Sequence, residues 1–373
     1  MSKRVYLVSC SGRPNYGDEL ITATWLSFLY KNYPQYEVWL DTPEPGNVQS
    51  LFMKYHPNFK AINTLWKICW RSVDILNDIN NKTASLIKDY GSPDIDLNID
   101  ILRSADIVHI LGGGYINANW KENYAILFAC QALKQVSQAK TIATGISIYP
   151  HEEFLAAEIF NDAITSFDYF SVRDPATASR FAVENTQDDV FLGYDLDVVS
   201  KNNSPDLPDI LCCIQNELSE DDIFQKLVSL VADYLQQQHQ CGKKIGYIEA
   251  IPGADNTAFV ELQKAIPDIQ FYPFSHVWHG GIPVQADGEI ISTRFHHHLV
   301  GACLGIKGTA LNIDSEYYKN KHESLSLLGT GWNVQSADTL AGNLHSTIND
   351  DFHAQLSNIA SAKLNKALAL YQE

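Results

Sequence analysis

Short runs of consecutive apolar residues alternate along the chain with longer stretches in which apolar positions recur every three or four residues. Residues 5–10 are a nearly unbroken apolar run, and 19–30 carry helical spacing through Leu20, Ile21, Trp25, Phe28 and Leu29. Residues 107–111, 141–148 and 169–172 read as further buried strands, with a helix over 123–136. Strands that are apolar on both faces and alternate with helices predict a parallel sheet covered by helices.

Residues 42–98 break this rhythm. They are rich in Asn, Asp, Pro and Trp and predict a less regular insertion over the first sheet. Residues 201–209 hold two prolines and almost no apolar side chain, the signature of a linker. After it the alternation restarts, with strands over 210–214, 244–248, 289–292 and 309–313 and helices over 221–238, 256–265 and 294–304. The expected organisation is a first domain over 1–200 with its insertion at 42–98, a linker, a second domain over 210–350, and a closing helix over 351–373. Two Rossmann-like α/β domains of this kind turn their strand carboxyl ends toward a central cleft.

The chain has 373 residues, 45% hydrophobic and 19% charged, which is a globular composition. Lys and Arg number 27 against 44 Asp and Glu, a net charge of −17 that argues against nucleic-acid binding. It does not argue against a small anionic substrate, because a few local cations dominate a cleft. The 7 cysteines are scattered without a C-x-x-C pair, so neither a disulfide framework nor a zinc ribbon is indicated. Met1-Ser2-Lys3-Arg4 runs straight into the first strand with no room for a secretory apolar region, and the expectation is a cytoplasmic protein with reduced thiols.

Four stretches carry candidate chemistry. Ser11-Gly12-Arg13-Pro14-Asn15-Tyr16-Gly17-Asp18-Glu19 follows the first strand, where Asp18 can cap the next helix and Glu19 complements its dipole. Gly112-Gly113-Gly114 ends the strand at 107–111, where backbone N–H groups can approach a ligand unobstructed. Arg173-Asp174-Pro175 places a guanidinium at a strand end beside a helix start, as an anion grip or as a partner in an ordinary ion pair. Ser292-Thr293-Arg294-Phe295-His296-His297-His298 is the most informative: Ser292 or Thr293 caps a helix whose first turn offers Arg294, His296 and His297 to one ligand. Three adjacent histidines suggest a metal on sight. Consecutive helical positions point about 100° apart, however, so they are not a shared ligand set. His276 and His279 read as a loop or packing feature.

Taken in order, these stretches resemble the polysaccharide pyruvyl transferase family, through Asn15-x-Gly17-Asp18-Glu19, Ala105-Asp106-Ile107-Val108 with the glycine triplet, Ser171-Val172-Arg173-Asp174 and Arg294-Phe295-His296. Leu311-Asn312-Ile313, Lys321 and Leu327-Leu328-Gly329 extend the resemblance toward the end. It implies a two-domain fold like the GT-B glycosyltransferases, and transfer of an enolpyruvyl-derived group from phosphoenolpyruvate onto sugar hydroxyls of a glycan or glycan precursor. No cofactor and no metal are implied. The chemistry of that transfer makes His296 and Asp18 the expected catalytic pair, His296 as the acid at C3 or on the departing phosphate and Asp18 to orient or deprotonate the acceptor. By the resemblance Arg294 and His296 match the donor-site Arg and His, Arg173 the Arg beside the interdomain cleft, and Asn15, Gly17 and Asp18 the loop on the acceptor side. Read from their own positions, His297, Lys321 and Gly112, Gly113 and Gly114 are expected on the donor with Arg173 and Arg294, and Glu19, Tyr115 and Asn117 on the acceptor with Asn15 and Gly17. A lipid-linked acceptor would bring peripheral contact with a membrane. Thr293, Phe295, His297 and His298 depart from the residues common in the family. The rivals are a nucleotide-sugar glycosyltransferase of the same fold and a catalytically silent binding protein of a glycan pathway.

Overall fold

The computed structural model describes residues 2–151, 155–194, 196, 198–217, 221–313, 316–340 and 344–372, without side chains for 316–319. The chain forms two compact units. Met1–Arg13, Asp18–Leu196 and Lys363–Glu373 make up the first, and Pro14–Gly17 with Asp197–Ala362 the second. Residues 201–209, expected as a linker, therefore lie inside the second unit, where Lys201 bridges to Ile282. The closing helix forms where it was expected, over Asp350–Gln372, and changes unit at Lys363.

The first unit is built on seven parallel strands: β1 (Arg4–Val8), β2 (Glu37–Asp41), β3 (Lys60–Ile62), β4 (Ile107–Ile110), β5 (Lys140–Ile146), β6 (Tyr169–Val172) and β7 (Glu184–Asn185). Their order is β3-β2-β1-β4-β5-β6-β7. The central strands β1 and β4 are apolar apart from Arg4 at the start of β1 and the buried His109, because helices cover both faces. The stretch 42–98 is not the irregular insertion its composition predicts. It supplies β3 and the helices Pro45–Phe52, Thr64–Arg71, Ile79–Lys88 and Pro93–Arg103. Leu65, Trp66, Ile68 and Cys69 form the buried stripe of the second of these, at the spacing a helix requires. Short strands with polar flanks hid this order in the sequence.

The second unit repeats the plan with β8 (Ile210–Cys213), β9 (Ile245–Ile248), β10 (Gln270–Tyr272), β11 (Glu289–Ser292), β12 (Lys307–Asn312) and β13 (Asn333–Ser336). All pair in parallel, in the order β10-β9-β8-β11-β12-β13. Both sheets share the doubly wound order in which the chain reverses direction between its first and fourth strands. At that switch point the carboxyl ends diverge and leave a crevice for a ligand. The switch points lie between β1 and β4, and between β8 and β11. Among the described residues no helix is long and apolar enough to cross a membrane.

A polar chain through the core of the first unit fixes the last turns of the closing helix. Asp189, fully buried, accepts hydrogen bonds from Trp25 Nε1 (2.8 Å), Thr144 Oγ1 (2.6 Å), Gly112 N (3.3 Å) and Lys363 Nζ (2.6 Å). Because Thr144 donates its only hydroxyl proton to Asp189, it accepts from His109 Nε2 (2.9 Å). His109 Nδ1 is then a lone pair that accepts from the Tyr371 hydroxyl (2.8 Å). Burial keeps the imidazole neutral, down to about 3. Removing one partner of such a pair strands a buried charge. Asp189→Asn or Lys363→Met should therefore cost about 3–5 kcal/mol in urea unfolding of this unit. Tyr371→Phe, which removes one neutral hydrogen bond, should cost about 1 kcal/mol.

Candidate active site

In the second unit the Ser292–Arg294 turn leaves β11 at the switch point. Thr293 N donates to Cys213 O (3.1 Å) at the end of β8, and Thr293 Oγ1 accepts from Gln215 N (2.9 Å). The helix begins at Phe295, one residue later than expected, so Arg294 occupies the cap position and neither Ser292 nor Thr293 caps the helix. Ser292 Oγ instead accepts the Arg294 N–H (3.0 Å) and holds the turn. Arg294 is pinned by Asp255, which takes hydrogen bonds from both Nε (3.1 Å) and Nη2 through one oxygen. The other Asp255 oxygen accepts from Ala250 N (2.8 Å) and Ile251 N (2.9 Å), so the carboxylate is fixed from both sides. Burial opposes the guanidinium charge, but Asp255 and then Glu217 outweigh it and hold Arg294 firmly cationic. Glu217 reaches Nη1 (3.1 Å) with a side chain that is 44% exposed, against 0% for Asp255.

The three consecutive histidines diverge. The ring of His296 lies flat over Gly17: a Cβ at residue 17 would stand 1.7 Å from His296 Nδ1. The neighbouring Tyr16 donates its N–H to Ala250 O (3.0 Å), and its ring packs 5.6 Å from that of His297. Asn15, half-buried, accepts the Gly17 N–H (3.3 Å). Asn15 and Gly17 thus belong to the unit that carries Arg294 and His296. His297 is not a first-turn ligand contact. It is buried, bonded through Nδ1 to Ser292 Oγ (3.0 Å), and kept neutral by burial, down to about 3. His298 is fully buried against His322. Lys321 is half-buried on the helix Glu316–Leu327.

In the first unit Asp18 is half-buried beside the glycine triplet, with its Oδ1 3.4 Å from where a Cβ of Gly113 would stand. Several residues expected to face substrate are structural instead. Glu19 is fully buried and accepts the Gly12 N–H (2.9 Å), closing the turn after β1. Gly112 N donates to Asp189 and Gly113 N to Gly145 O (3.2 Å), so these two amides are spent inside the sheet; Gly114 follows as the turn opens. Tyr115 is buried with its hydroxyl on Leu111 O (2.8 Å), and Asn117 caps the turn that follows by accepting Asn119 N (2.8 Å). Arg173 is buried, with Nη1 2.7 Å from Asp188. Asp174 caps the next helix through Thr177 N (2.8 Å), as its sequence predicts.

Sequence reasoning missed Asp255 and Glu217. Asp255 precedes the helix Asn256–Ala265 in a Gly-Ala-Asp-Asn run, which reads as a capping aspartate. Its carboxylate caps nothing and turns to Arg294, a contact 39 residues away that no local pattern announces. Glu217 lies in a polar stretch without periodicity.

These burials fix the sign of the acid response. His297, His298, His322 and His109 all titrate lower in the fold than the ordinary 6.5, chiefly through burial, with His322 down to about 4. Between 6.5 and those values the unfolded chain binds protons that the fold excludes, so their stabilisation, complete above pH 6.5, is lost as pH falls toward 4. Asp41, pushed up to about 6 by burial, acts in the opposite sense, but His56, Glu37 and Asp168 are lowered as well and act with the four. Thermal unfolding followed by circular dichroism should show the midpoint falling steadily from pH 7 to pH 4.5.

The model of the polysaccharide pyruvyl transferase family matches residues 15–281, from Asn15 through the glycine triplet and Arg173 and ending shortly before Arg294. No curated protein matches the sequence. Solved structures share the fold at low identity. A putative UDP-N-acetylglucosamine 2-epimerase from Listeria monocytogenes superposes with a TM-score of 0.59 at 11% identity, covering 99% of this chain and 95% of that one. A glycosyltransferase from Rickettsia africae gives 0.53 at 13% identity, covering 100% and 98%. The UDP-GlcNAc 2-epimerase from Neisseria meningitidis gives 0.51 at 11% identity, covering 100% and 92%. These neighbours establish two Rossmann-like domains of the GT-B kind, and the family match, which spans well over half of the sequence, places the chain in the polysaccharide pyruvyl transferase family, as a transferase.

Proposed function

We propose that this transferase moves the enolpyruvyl-derived group of phosphoenolpyruvate onto two hydroxyls of a sugar in a glycan or glycan precursor, forming a cyclic pyruvate ketal and releasing phosphate. The observation that carries the reading is Arg294: a fixed cation at the switch point of the second sheet, with His296 two residues away. Asp255 neutralises and orients the inner edge of the guanidinium. Glu217 occupies the outer edge from an exposed position, so a carboxylate or phosphate oxygen can take its place at Nη1. Arg173, paired with Asp188 inside its own unit, and Lys321 are the further donor cations in this reading.

The chemistry needs an acid and a base. A proton delivered to C3 of phosphoenolpyruvate converts the methylene to a methyl group and leaves C2 an oxocarbenium-like centre. A sugar hydroxyl adds to C2 and gives up its proton. The C2–O bond to phosphate then breaks, and a second hydroxyl of the same sugar adds to C2 and passes its proton to the departing phosphate, which closes the ketal. His296 supplies the proton, and Asp18 orients or accepts from the acceptor hydroxyl. The scheme calls for no cofactor. The cytoplasm is where phosphoenolpyruvate is available, and a lipid-linked acceptor would be met at the membrane surface.

Thermal-shift measurements test the donor: phosphoenolpyruvate at saturation should raise the melting temperature, and UDP should not. Stabilisation by UDP alone would instead favour the nucleotide-sugar reading that the fold also permits. His296→Ala should lower kcat by about 10²-fold or more with the fold intact. Wild-type turnover in that variant would remove His296 from the reaction. Glu217→Gln should lower the KM for phosphoenolpyruvate several-fold, about 0.5–1 kcal/mol for removal of an exposed competing charge.

A further inference from the structure

The chemistry above leaves His298 unused, and its surroundings determine its protonation. His322 Nε2 lies 3.2 Å from the Thr293 carbonyl, which only an N–H can satisfy, so His322 carries its proton there. Its Nδ1 is then a lone pair, 3.2 Å from His298 Nδ1, which must donate. His298 Nε2 is left as an acceptor, 2.8 Å from the Thr330 hydroxyl. One pair of neutral tautomers satisfies all three contacts. A second proton on His322 would set two N–H groups against each other, and Lys321 next along the helix opposes that charge as well.

Packing holds the pair in register. Both rings are fully buried, and Trp332 stacks on His298 at 4.8 Å and 11° between planes. Trp332 Nε1 donates to Ile306 O (2.8 Å). The indole fits because Gly301 and Gly308 lie beneath it, where a Cβ would come within 2.4 and 2.5 Å of the ring. The chain ends on the carbonyl of Thr293, in the same turn whose next residue is Arg294.

We propose that the His298–His322 pair is a positioning device for the donor site: two neutral imidazoles hold the Thr293 carbonyl from the helix Glu316–Leu327, and so fix the backbone from which Arg294 projects. The inference rests on the donor reading above and extends it to residues that touch no substrate. It accounts for a third histidine after Arg294-Phe295-His296 without a metal. Among the described residues no three His, Cys, Asp or Glu side chains come within reach of one ion.

Two variants test it. His322→Gln can keep both contacts, since its amide donates at one atom and accepts at the other, whereas His322→Leu keeps neither. Calorimetric titration of each folded variant with phosphoenolpyruvate should give a Kd within a few-fold of wild type for His322→Gln, and about tenfold weaker for His322→Leu. Thr330→Val, which removes only the distal hydroxyl, should fall between them; it serves as the second test should His322→Leu fail to fold. Nitrogen-15 spectra of the unaltered protein at pH 7 should show His322 protonated on Nε2 and His298 on Nδ1. An imidazolium at either ring, or a donor affinity equal to that of wild type in folded His322→Leu, or in Thr330→Val should His322→Leu not fold, would overturn the inference alone. A wild-type protein that binds no phosphoenolpyruvate would instead overturn the donor reading beneath it.

Discussion

Arg294 stays charged in a mostly buried position because Asp255 meets it there, and the candidate site depends on that pairing. A guanidinium taken out of water without a partner loses several kcal/mol of hydration. Asp255 can offset this because its own carboxylate is fixed, with one oxygen tied to two backbone amides and the other left for the guanidinium. The result is a cation whose direction is set before any ligand arrives. Such preorganisation separates a donor site from a surface arginine, which would spend binding energy on ordering its own side chain. Among the described residues, the remaining side of the guanidinium meets a partly solvated glutamate.

Much of this was legible in the sequence, for identifiable reasons. Apolar runs at 5–10, 107–111 and 210–214 are long enough to read as doubly covered strands, and with the shorter 289–292 they prove to be the four strands that flank the two switch points. Asp174-Pro175 forms the capped helix start it spells. What did not show were short strands such as β3 and β10, three residues each, where pairing with a neighbour overrides local composition. The site followed the same division. Arg294 and His296 stood out because rare chemistry clusters at a helix start. Asp255 and His322 are invisible locally because their roles exist only across 39 and 29 residues of chain. Glu19, Tyr115 and Asn117 show the converse: polar residues beside a promising loop are often there to close the loop on itself.

The two units solve one problem in parallel. Each buries histidine near the carboxyl ends of its central strands, and each makes that burial tolerable by fixing a single tautomer. In the first, the order of donors runs from Tyr371 through His109 and Thr144 to Asp189. In the second, it runs from Thr330 through His298 and His322 to a backbone carbonyl. The endpoints differ in consequence. A chain that ends on a carboxylate with a lysine beside it is a structural anchor, joining the closing helix to the sheet. A chain that ends on the carbonyl before Arg294 is tied to the turn that does the binding.

Gly17 shows how a turn glycine can be required for reasons other than the turn. Its backbone does not adopt the left-handed conformation that makes glycine necessary at Gly12, where φ is +87°. By dihedral angle alone an alanine would fit. Space forbids it: the position a Cβ would take is 1.7 Å from His296 Nδ1, well inside the closest approach of unbonded atoms. The glycine is therefore read by the imidazole, which can lie flat on the backbone only where no side chain intervenes. Asn15 accepting the Gly17 N–H and Tyr16 bonded to Ala250 keep that backbone from moving away. The Asn-x-Gly pattern near the start and the Arg-x-His pattern 279 residues later along the chain thus describe one local packing arrangement, a single constraint written at two distant places in the sequence.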